Sequence, residues 1–401
     1  MNIPHDKFCV LPWVSIEASP IGTVRPCCLA DDEILDNAGN KFELSTANFA
    51  DIQNSNHMQR LREQFLAGEK PQTCRKCWNE ERGGRTSKRM HTLDRLKHSI
   101  VDTEWSVDAK PLMFLDLKLG NICNLKCRIC GPWSSSQFAT EEINQMPREQ
   151  QKSSHAYQML RAGAWPRENT QFWQQIDSVL TDIRYIEFTG GEPFMIDEHF
   201  DMLQGIVDRG IADQVEIHYN TNGTQYPARG EAIWRHFKTV EVAFSIDDIG
   251  ERFEYQRTNA DWAVVLDNIT SFQYLKTQMS NLQLQCCSTV SVFNVRYIDE
   301  LAHWVALQKF DFVYWNMMHD AWYFSIATLP DAAKAGITEH LHSADVPPEY
   351  REEFDRIVDF MNTGASTDGF ILRMKIADLD RKRNQNLRAV EPELADLIDY
   401  Q

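Results

Sequence analysis

Gly120-Asn121-Ile122-Cys123-Asn124-Leu125-Lys126-Cys127-Arg128-Ile129-Cys130 follows directly on the strand-like run Leu112 to Leu119. Its three cysteines, spaced C-x3-C-x2-C, can put three thiolates on one face of a tight loop. Three thiolates hold three irons of a [4Fe-4S] cube and leave the fourth iron with an open position. An open iron can bind a small chelating ligand and pass it an electron. A closed zinc knot would need a fourth nearby Cys or His, and Gly131, Pro132, Trp133 and Ser134 supply none.

Downstream of this loop the chain alternates strand-like with helical runs. The strands read as Leu112 to Leu119, Tyr185 to Thr189, Val215 to Asn220, Val240 to Ile246, Leu282 to Phe293 and Phe310 to Asn316. Helical periodicity covers Asp197 to Asp208, Gly230 to His236, Trp262 to Lys276 and Ile298 to Leu307. Repeated βα units require parallel strands with right-handed crossovers, so residues 106–320 predict an α/β fold, a partial (βα)6 barrel. Residues 134–178, rich in Gln, Ser and Glu, exceed one crossover helix and predict a helical insertion. Ligands in such folds collect at the carboxyl ends of the strands, and there the sequence carries Thr189-Gly190-Gly191-Glu192-Pro193, Asn220-Thr221-Asn222-Gly223, and Ser245-Ile246-Asp247-Asp248 followed by Arg257. Two glycines let backbone approach a ligand closely, and a guanidinium binds carboxylates bidentately.

Upstream, residues 1–105 read as a separate small module. Phe8 to Glu17 predicts a strand, Ser19 to Gly22 a turn and Thr23 to Cys28 a returning strand, a hairpin that brings Cys9 and Cys27 to one end. After a helix around Met58 to Leu66, Cys74-Arg75-Lys76-Cys77 offers a C-x2-C knuckle. Four thiolates fit zinc or a second iron-sulfur cluster, and spacing alone does not separate the two. Cys28 is the adjacent alternative to Cys27. The stretch Arg82 to Lys97, with Arg85, Lys88, Arg89 and Arg95, reads as a solvated linking helix, with docking of a carboxylate-rich or phosphate-bearing partner as the alternative.

Together these motifs resemble the radical S-adenosylmethionine superfamily from Leu112 to about Asn294. Cys9, twelve residues, Gly22, four residues and Cys27 resemble its SPASM and twitch modules, which here precede the barrel instead of following it. The resemblance implies that Cys123, Cys127 and Cys130 bind a [4Fe-4S] cluster whose fourth iron is chelated by S-adenosylmethionine. It implies cofactor contacts at Gly190, Gly191, Glu192, Asn220, Thr221, Ser245 and Arg257, Glu192 at the methionyl amino group and Ser245 and Arg257 at the carboxylate or ribose. It also favours a second, auxiliary [4Fe-4S] cluster on Cys9, Cys27, Cys74 and Cys77 over zinc. Where the family has an aromatic residue before the last cysteine, this chain has Ile129, and its usual Asp-Gly pair after the fourth strand is Asp247-Asp248.

The implied activity is formation of a 5'-deoxyadenosyl radical that abstracts hydrogen from an unactivated C-H bond. The leading expectation is oxidative modification of a peptide or protein residue or an amino-acid-like metabolite, with flavodoxin or ferredoxin as reductant. Asp116, Lys118, His218 and Tyr219 are candidates to accept the departing proton. Dehydrogenation of an amino sugar or alcohol is one alternative. Radical epimerisation is another, with Cys286 or Cys287 as hydrogen donor, since alternation along a strand sends one of these adjacent thiols inward. A non-catalytic iron-sulfur electron-transfer protein would leave Gly190, Gly191, Glu192, Ser245 and Arg257 without a purpose.

The 401 residues carry 43% hydrophobic content, and 41 Lys plus Arg against 58 Asp plus Glu give a net charge of -17, which argues against broad binding to nucleic acid or anionic membrane. MNIPHDKFCV shows no signal pattern and no apolar run reaches a membrane span, so a cytoplasmic protein is expected. Ten cysteines in short clusters there read as reduced ligands. Residues 321–401 predict a helical C-terminal extension, with helices at Pro330 to Leu341, Pro348 to Met361 and Met374 to Ile398. The charged run Asp378 to Asn386 reads as a solvated helix face or a lid that reads substrate.

Overall fold

The computed structural model describes residues 3–82, 86–167, 169–318, 321–365 and 367–401, so Arg85, His319 and Asp320 lie outside the described residues. The chain folds as two compact units. The first comprises residues 1–123, 132–220 and 227–241, the second residues 124–131, 221–226 and 242–401. The expected N-terminal module falls wholly within the first unit and the expected C-terminal extension within the second; residues 106–320 contribute to both.

In the first unit, β1 (Ser15–Ala18) pairs antiparallel with β2 (Val24–Arg25) and parallel with β3 (Phe114–Lys118). β3 pairs parallel with β4 (Tyr185–Thr189), and β4 with β5 (Glu216–Thr221), of which all but Thr221 belongs to this unit. The N-terminal hairpin is shorter than its sequence suggests. Pro12 sits at the second position of a helical turn, Leu11–Val14, where its missing N–H costs no intrahelical bond, and this turn replaces the early part of the expected strand. Pro26 offers no N–H and ends β2 after two residues. Residues 134–178 are helical as expected, in segments Ser136–Asn144, Arg148–Gln151, His155–Ala162 and Thr170–Val179.

Strand alternation divides the residues of this sheet cleanly. Leu115, Leu117, Ile186, Phe188, Ile217 and Tyr219 are buried, and Phe188 and Tyr219 pack with His199, Phe194 and Trp234 from the following helices. The opposite face carries an ionic row in register across four strands: Glu17 opposite Asp116, Asp116 opposite Glu187, and Glu187 opposite His218. Carboxylates directly opposite one another repel. Cations from outside the row offset this: Lys88 Nζ lies 3.0 Å from Asp116 and 2.9 Å from Glu187, Lys118 reaches Glu17, and Arg25 Nε is 3.0 Å from Glu17. The helix Lys88–Leu96 is therefore not simply solvated, because Lys88 and Arg95 point to the sheet, Arg95 towards Glu216 and Glu241. Burial raises the Asp116 carboxyl, but Lys118 and Lys88 more than offset it and hold it below the usual carboxylate range.

In the second unit, β6 (Thr239–Ser245, from Val242 onward in this unit), β7 (Leu282–Val290) and β8 (Phe312–Met317) run side by side, with β7 and β8 parallel. The C-terminal helices are Asp331–Ser343, Arg351–Thr363, Phe370–Arg383, Leu387–Val390 and Pro392–Leu397. The single long last helix expected from the sequence is broken in three. Asn384 takes a φ of 52° and ends one segment, and Pro392 starts another.

Asp380 in this tail is a buried hub, not a solvated charge. Its Oδ1 accepts from Arg128 Nη2 at 2.6 Å and from Tyr255 OH at 2.8 Å; its Oδ2 accepts from Leu387 N at 2.8 Å and Tyr400 OH at 2.9 Å. Arg128 also lies over the Tyr255 ring at 3.5 Å. Removing one partner of a buried pair leaves the other charge uncompensated. Asp380→Ala is expected to cost about 3 to 5 kcal/mol in anaerobic urea unfolding followed by circular dichroism, whereas Asp378→Ala, on the exposed side of the same helix, costs at most about 1 kcal/mol.

Candidate metal centres

Two glycine contacts and one insertion shape the first half of the cysteine loop, which belongs to the first unit. Gly120 has φ 80°, and a Cβ there would meet Gly163 O at 2.1 Å. Asn121, fully buried, donates from its backbone N–H to Gly163 O at 3.1 Å and from Nδ2 to Pro132 O and Met159 O at 2.9 and 3.0 Å. Ser136 Oγ accepts from Cys123 N at 3.1 Å. The helical insertion thus carries residues that brace the loop.

The Gly190-Gly191-Glu192 segment is laid against the same loop. Gly191 N–H donates to Gly120 O at 3.0 Å and Glu192 N–H to Ile122 O at 2.8 Å. A Cβ on Gly191 would stand 2.2 Å from Ile122 O. What approaches these glycines is backbone of the cysteine loop. Glu192 is buried, with Oε1 accepting from Phe194 N at 3.2 Å. Asn220, half-buried, ends this unit's part of β5.

The second half of the cysteine loop, residues 124–131, lies in the second unit and is anchored there by other partners. Lys126 N donates to Thr258 O at 3.0 Å, Arg128 N to Gln256 O at 2.8 Å, and Cys130 N to Cys127 O at 3.1 Å. Asn124 Nδ2 donates to Thr224 Oγ1 at 2.8 Å, and Thr221 Oγ1 accepts from Gly223 N at 3.1 Å. Arg257 Nη2 is 2.7 Å from Asp247 Oδ2, while its Nη1 lies 4.0 Å from Cys127 Sγ. A hydrogen bond to Cys130 and then burial push the Cys127 thiol up, and Arg257 pulls it back. Ser245 closes β6, half-buried. Of the adjacent cysteines in β7, Cys286 is fully buried; Cys287 is half-buried on the other face and feels Asp247 and Arg257 after burial, which raises its thiol to about 11.

In the N-terminal module Cys9, Cys27, Cys74 and Cys77 line one small cavity with Leu11, Leu29, Ala30, Phe65 and Arg89. Burial pushes the Cys9 thiol up, and the neighbouring Cys74 and Cys27 add to it; burial takes Cys27 to about 11. Four thiolates that repel one another in an apolar cavity form a donor set suited to a positively charged cluster. Among the described residues no group of three or more His, Cys, Asp or Glu side chains forms a ready site for a single metal ion. Cys28 does not line the cavity. Its Sγ accepts from Lys88 Nζ at 2.9 Å beside Asp116.

Of the proton-acceptor candidates, Asp116, Lys118 and His218 lie on the ionic face, His218 with Nδ1 2.9 Å from Glu241. Tyr219 lies on the opposite face, its OH 3.1 Å from His199 Nε2 within the aromatic core. Sequence reading gave Arg128 no role and did not foresee the buried pairings of Asp247 and Asp380. The signal for Asp380 was present, since Leu372, Ile376 and Leu379 set a helical stripe that it adjoins.

No helix among the described residues is long and apolar enough to cross a membrane. No curated protein sequence matches the chain. Among solved structures, native anSMEcpe with bound AdoMet is 19% identical with a TM-score of 0.41, the match covering 63% of this chain and 62% of that one. Native anSMEcpe with bound AdoMet and Kp18Cys peptide is 16% identical with a TM-score of 0.39, covering 67% and 66%. The chain thus spans less than two thirds of the length of these proteins. Residues 9–78 match the SPASM family model, described as an iron-sulfur cluster-binding domain. That segment contains Cys9, Cys27, Cys74 and Cys77, so residues 9–78 match an iron-sulfur cluster-binding domain, and they are followed in sequence by a three-cysteine loop and βα repeats.

Proposed function

We propose that this chain is a radical S-adenosylmethionine enzyme that oxidises a residue of a peptide or protein, or an amino-acid-like metabolite. The observation that carries the reading is the C-x3-C-x2-C loop set at the end of a parallel strand, in a chain whose N-terminal segment matches an iron-sulfur cluster-binding domain. Cys123, Cys127 and Cys130 would hold a [4Fe-4S] cluster, and Cys9, Cys27, Cys74 and Cys77 an auxiliary one. Gly190, Gly191, Glu192, Asn220, Thr221 and Ser245 would contact S-adenosylmethionine. When bound, these groups supply a 5'-deoxyadenosyl radical that removes hydrogen from an unactivated C-H bond, and an acceptor for the electron left behind. The chain's own part is to hold the target carbon, exclude water and take up a proton, for which His218 is the candidate on the ionic face, Lys118 there being a cation already paired with Glu17 and Asp116. The bound peptide named in one similar structure is consistent with a peptide substrate here. A reducing cytoplasm, with flavodoxin or ferredoxin as electron source, suits this chemistry.

A second reading, radical epimerisation, draws on Cys287. It is the half-buried member of the β7 pair, and it lies near Asp247 and Arg257.

Anaerobic reconstitution should bring iron and sulfide to about eight per chain, the content of two [4Fe-4S] clusters. Dithionite and S-adenosylmethionine should then yield 5'-deoxyadenosine, and its absence from a fully reconstituted sample would sink the enzyme reading. Cys27→Ala is expected to lose about half of that iron. Cys28→Ala should keep the full complement; the reverse pattern would transfer the ligand role to Cys28.

A further inference from the structure

We propose that Arg257 sets the reduction potential of the cluster held through Cys127, with Asp247 as the counter-charge that limits its effect. This rests on reading Cys123, Cys127 and Cys130 as cluster ligands. It departs from what the family resemblance implies for Arg257, a contact to the carboxylate or ribose of the cofactor.

The geometry in the second unit carries it. Arg257 is held on both sides: its backbone N–H donates to Phe253 O at 2.8 Å, and Nη2 is paired with Asp247 at 2.7 Å. Asp247 is itself fixed, because Oδ1 accepts from Thr289 N at 2.8 Å and its main-chain O from Asn294 Nδ2 at 2.7 Å. Asn294 is fully buried and donates also to Thr289 O at 2.8 Å. With that anchor, the guanidinium is left 4.0 Å from Cys127 Sγ, and both members of the ion pair are buried. Swinging Arg257 onto a ligand's carboxylate would break a buried pair that nothing else on Asp247 replaces.

One-electron reduction of a cluster adds a negative charge. A buried cation beside a ligating sulfur favours the reduced state, and hydrogen bonds to cluster sulfurs act in the same direction. Asp247, behind the guanidinium, weakens this effect. The balance favours the cation, since the guanidinium is the member of the pair that faces Cys127 Sγ, while Asp247 binds its other nitrogen. The pair thus places a damped positive charge at one thiolate without bringing net charge into the core.

The test is an EPR-monitored redox titration of reconstituted protein without S-adenosylmethionine. The relevant signal is identified as the one that changes when the cofactor is later added. Arg257→Gln should move its midpoint to more negative potential, by at least a tenfold change in the reduction equilibrium, about 59 mV for a one-electron couple. Asp247→Asn should move it the opposite way, because the amide oxygen can still accept from Thr289 N while the counter-charge is gone. Arg257→Lys should fall between wild type and Arg257→Gln. Should the glutamine variant fail to assemble its cluster, the sign of the Asp247→Asn shift decides alone. Unchanged midpoints with weakened cofactor binding would overturn the proposal and return Arg257 to the role of a cofactor contact. If wild-type protein gives no cofactor-responsive signal, it is the ligand reading of the three cysteines that fails, which is a different outcome.

Discussion

A loop that offers its thiols to a metal cannot spend its own short length on regular hydrogen bonding, so other segments must satisfy its backbone. That constraint governs the surroundings of Gly120 to Ile122. The carbonyls of Gly120 and Ile122 are taken by the N–H groups of Gly191 and Glu192, and Asn121 is tied to Gly163, Met159 and Pro132. These contacts bring main chain against main chain at Gly120 and Gly191 and against the Asn121 side chain at Gly163, which is why glycine occupies all three positions, where a single methyl group would lie little more than 2 Å from a neighbouring atom. The residues that read as a ligand-binding motif are, at the level of packing, the mould of the loop.

Electrostatics follows a similar logic in both units. The row Glu17, Asp116, Glu187 and His218 is tolerable only because Lys88, Lys118 and Arg25 are inserted among its members. Arg128, buried between two candidate ligands in sequence, is matched by Asp380 and by the face of Tyr255. Isolated charges at such depth would cost several kcal/mol each. Pairing makes them affordable, and it gives each element one position. The charges that composition presents as a surplus of acids are, at these sites, devices for fixing helices and loops.

Much of this was legible in the sequence. The βα alternation and the helical insertion follow from periodicity, and the two sequence-distant cysteine pairs that line one cavity are visible as spacings. The choice of Cys27 over Cys28 as a cavity residue does not, because adjacent residues in a short strand exit differ only in the direction their side chains take. The inward turn of Lys88 and Arg95 was hidden for a related reason: their partners are strand residues far away in sequence, and a helix rich in Arg and Lys reads as solvated when only its own residues are counted. Asp247 was seen only as a departure from a family pattern, and its pairing with Arg257 depends on Thr289 and Asn294, which belong to another strand and its following turn. Local pattern specifies elements; which charge meets which is a property of the assembled sheet.

The parallel pairing of β1 with β3 has a consequence for how the molecule is made. Roughly a hundred residues separate the two strands, so their union closes a long loop, and such non-local pairings form late and slowly. Until it forms, Cys9 and Cys27 flank a short hairpin with little to hold it, since two-stranded ribbons are marginal in water. Filling of the cysteine cavity and completion of the sheet therefore reinforce one another. Iron delivered early would guide the strand to its neighbour, and iron withheld would leave a sheet edge open to pairing with other chains.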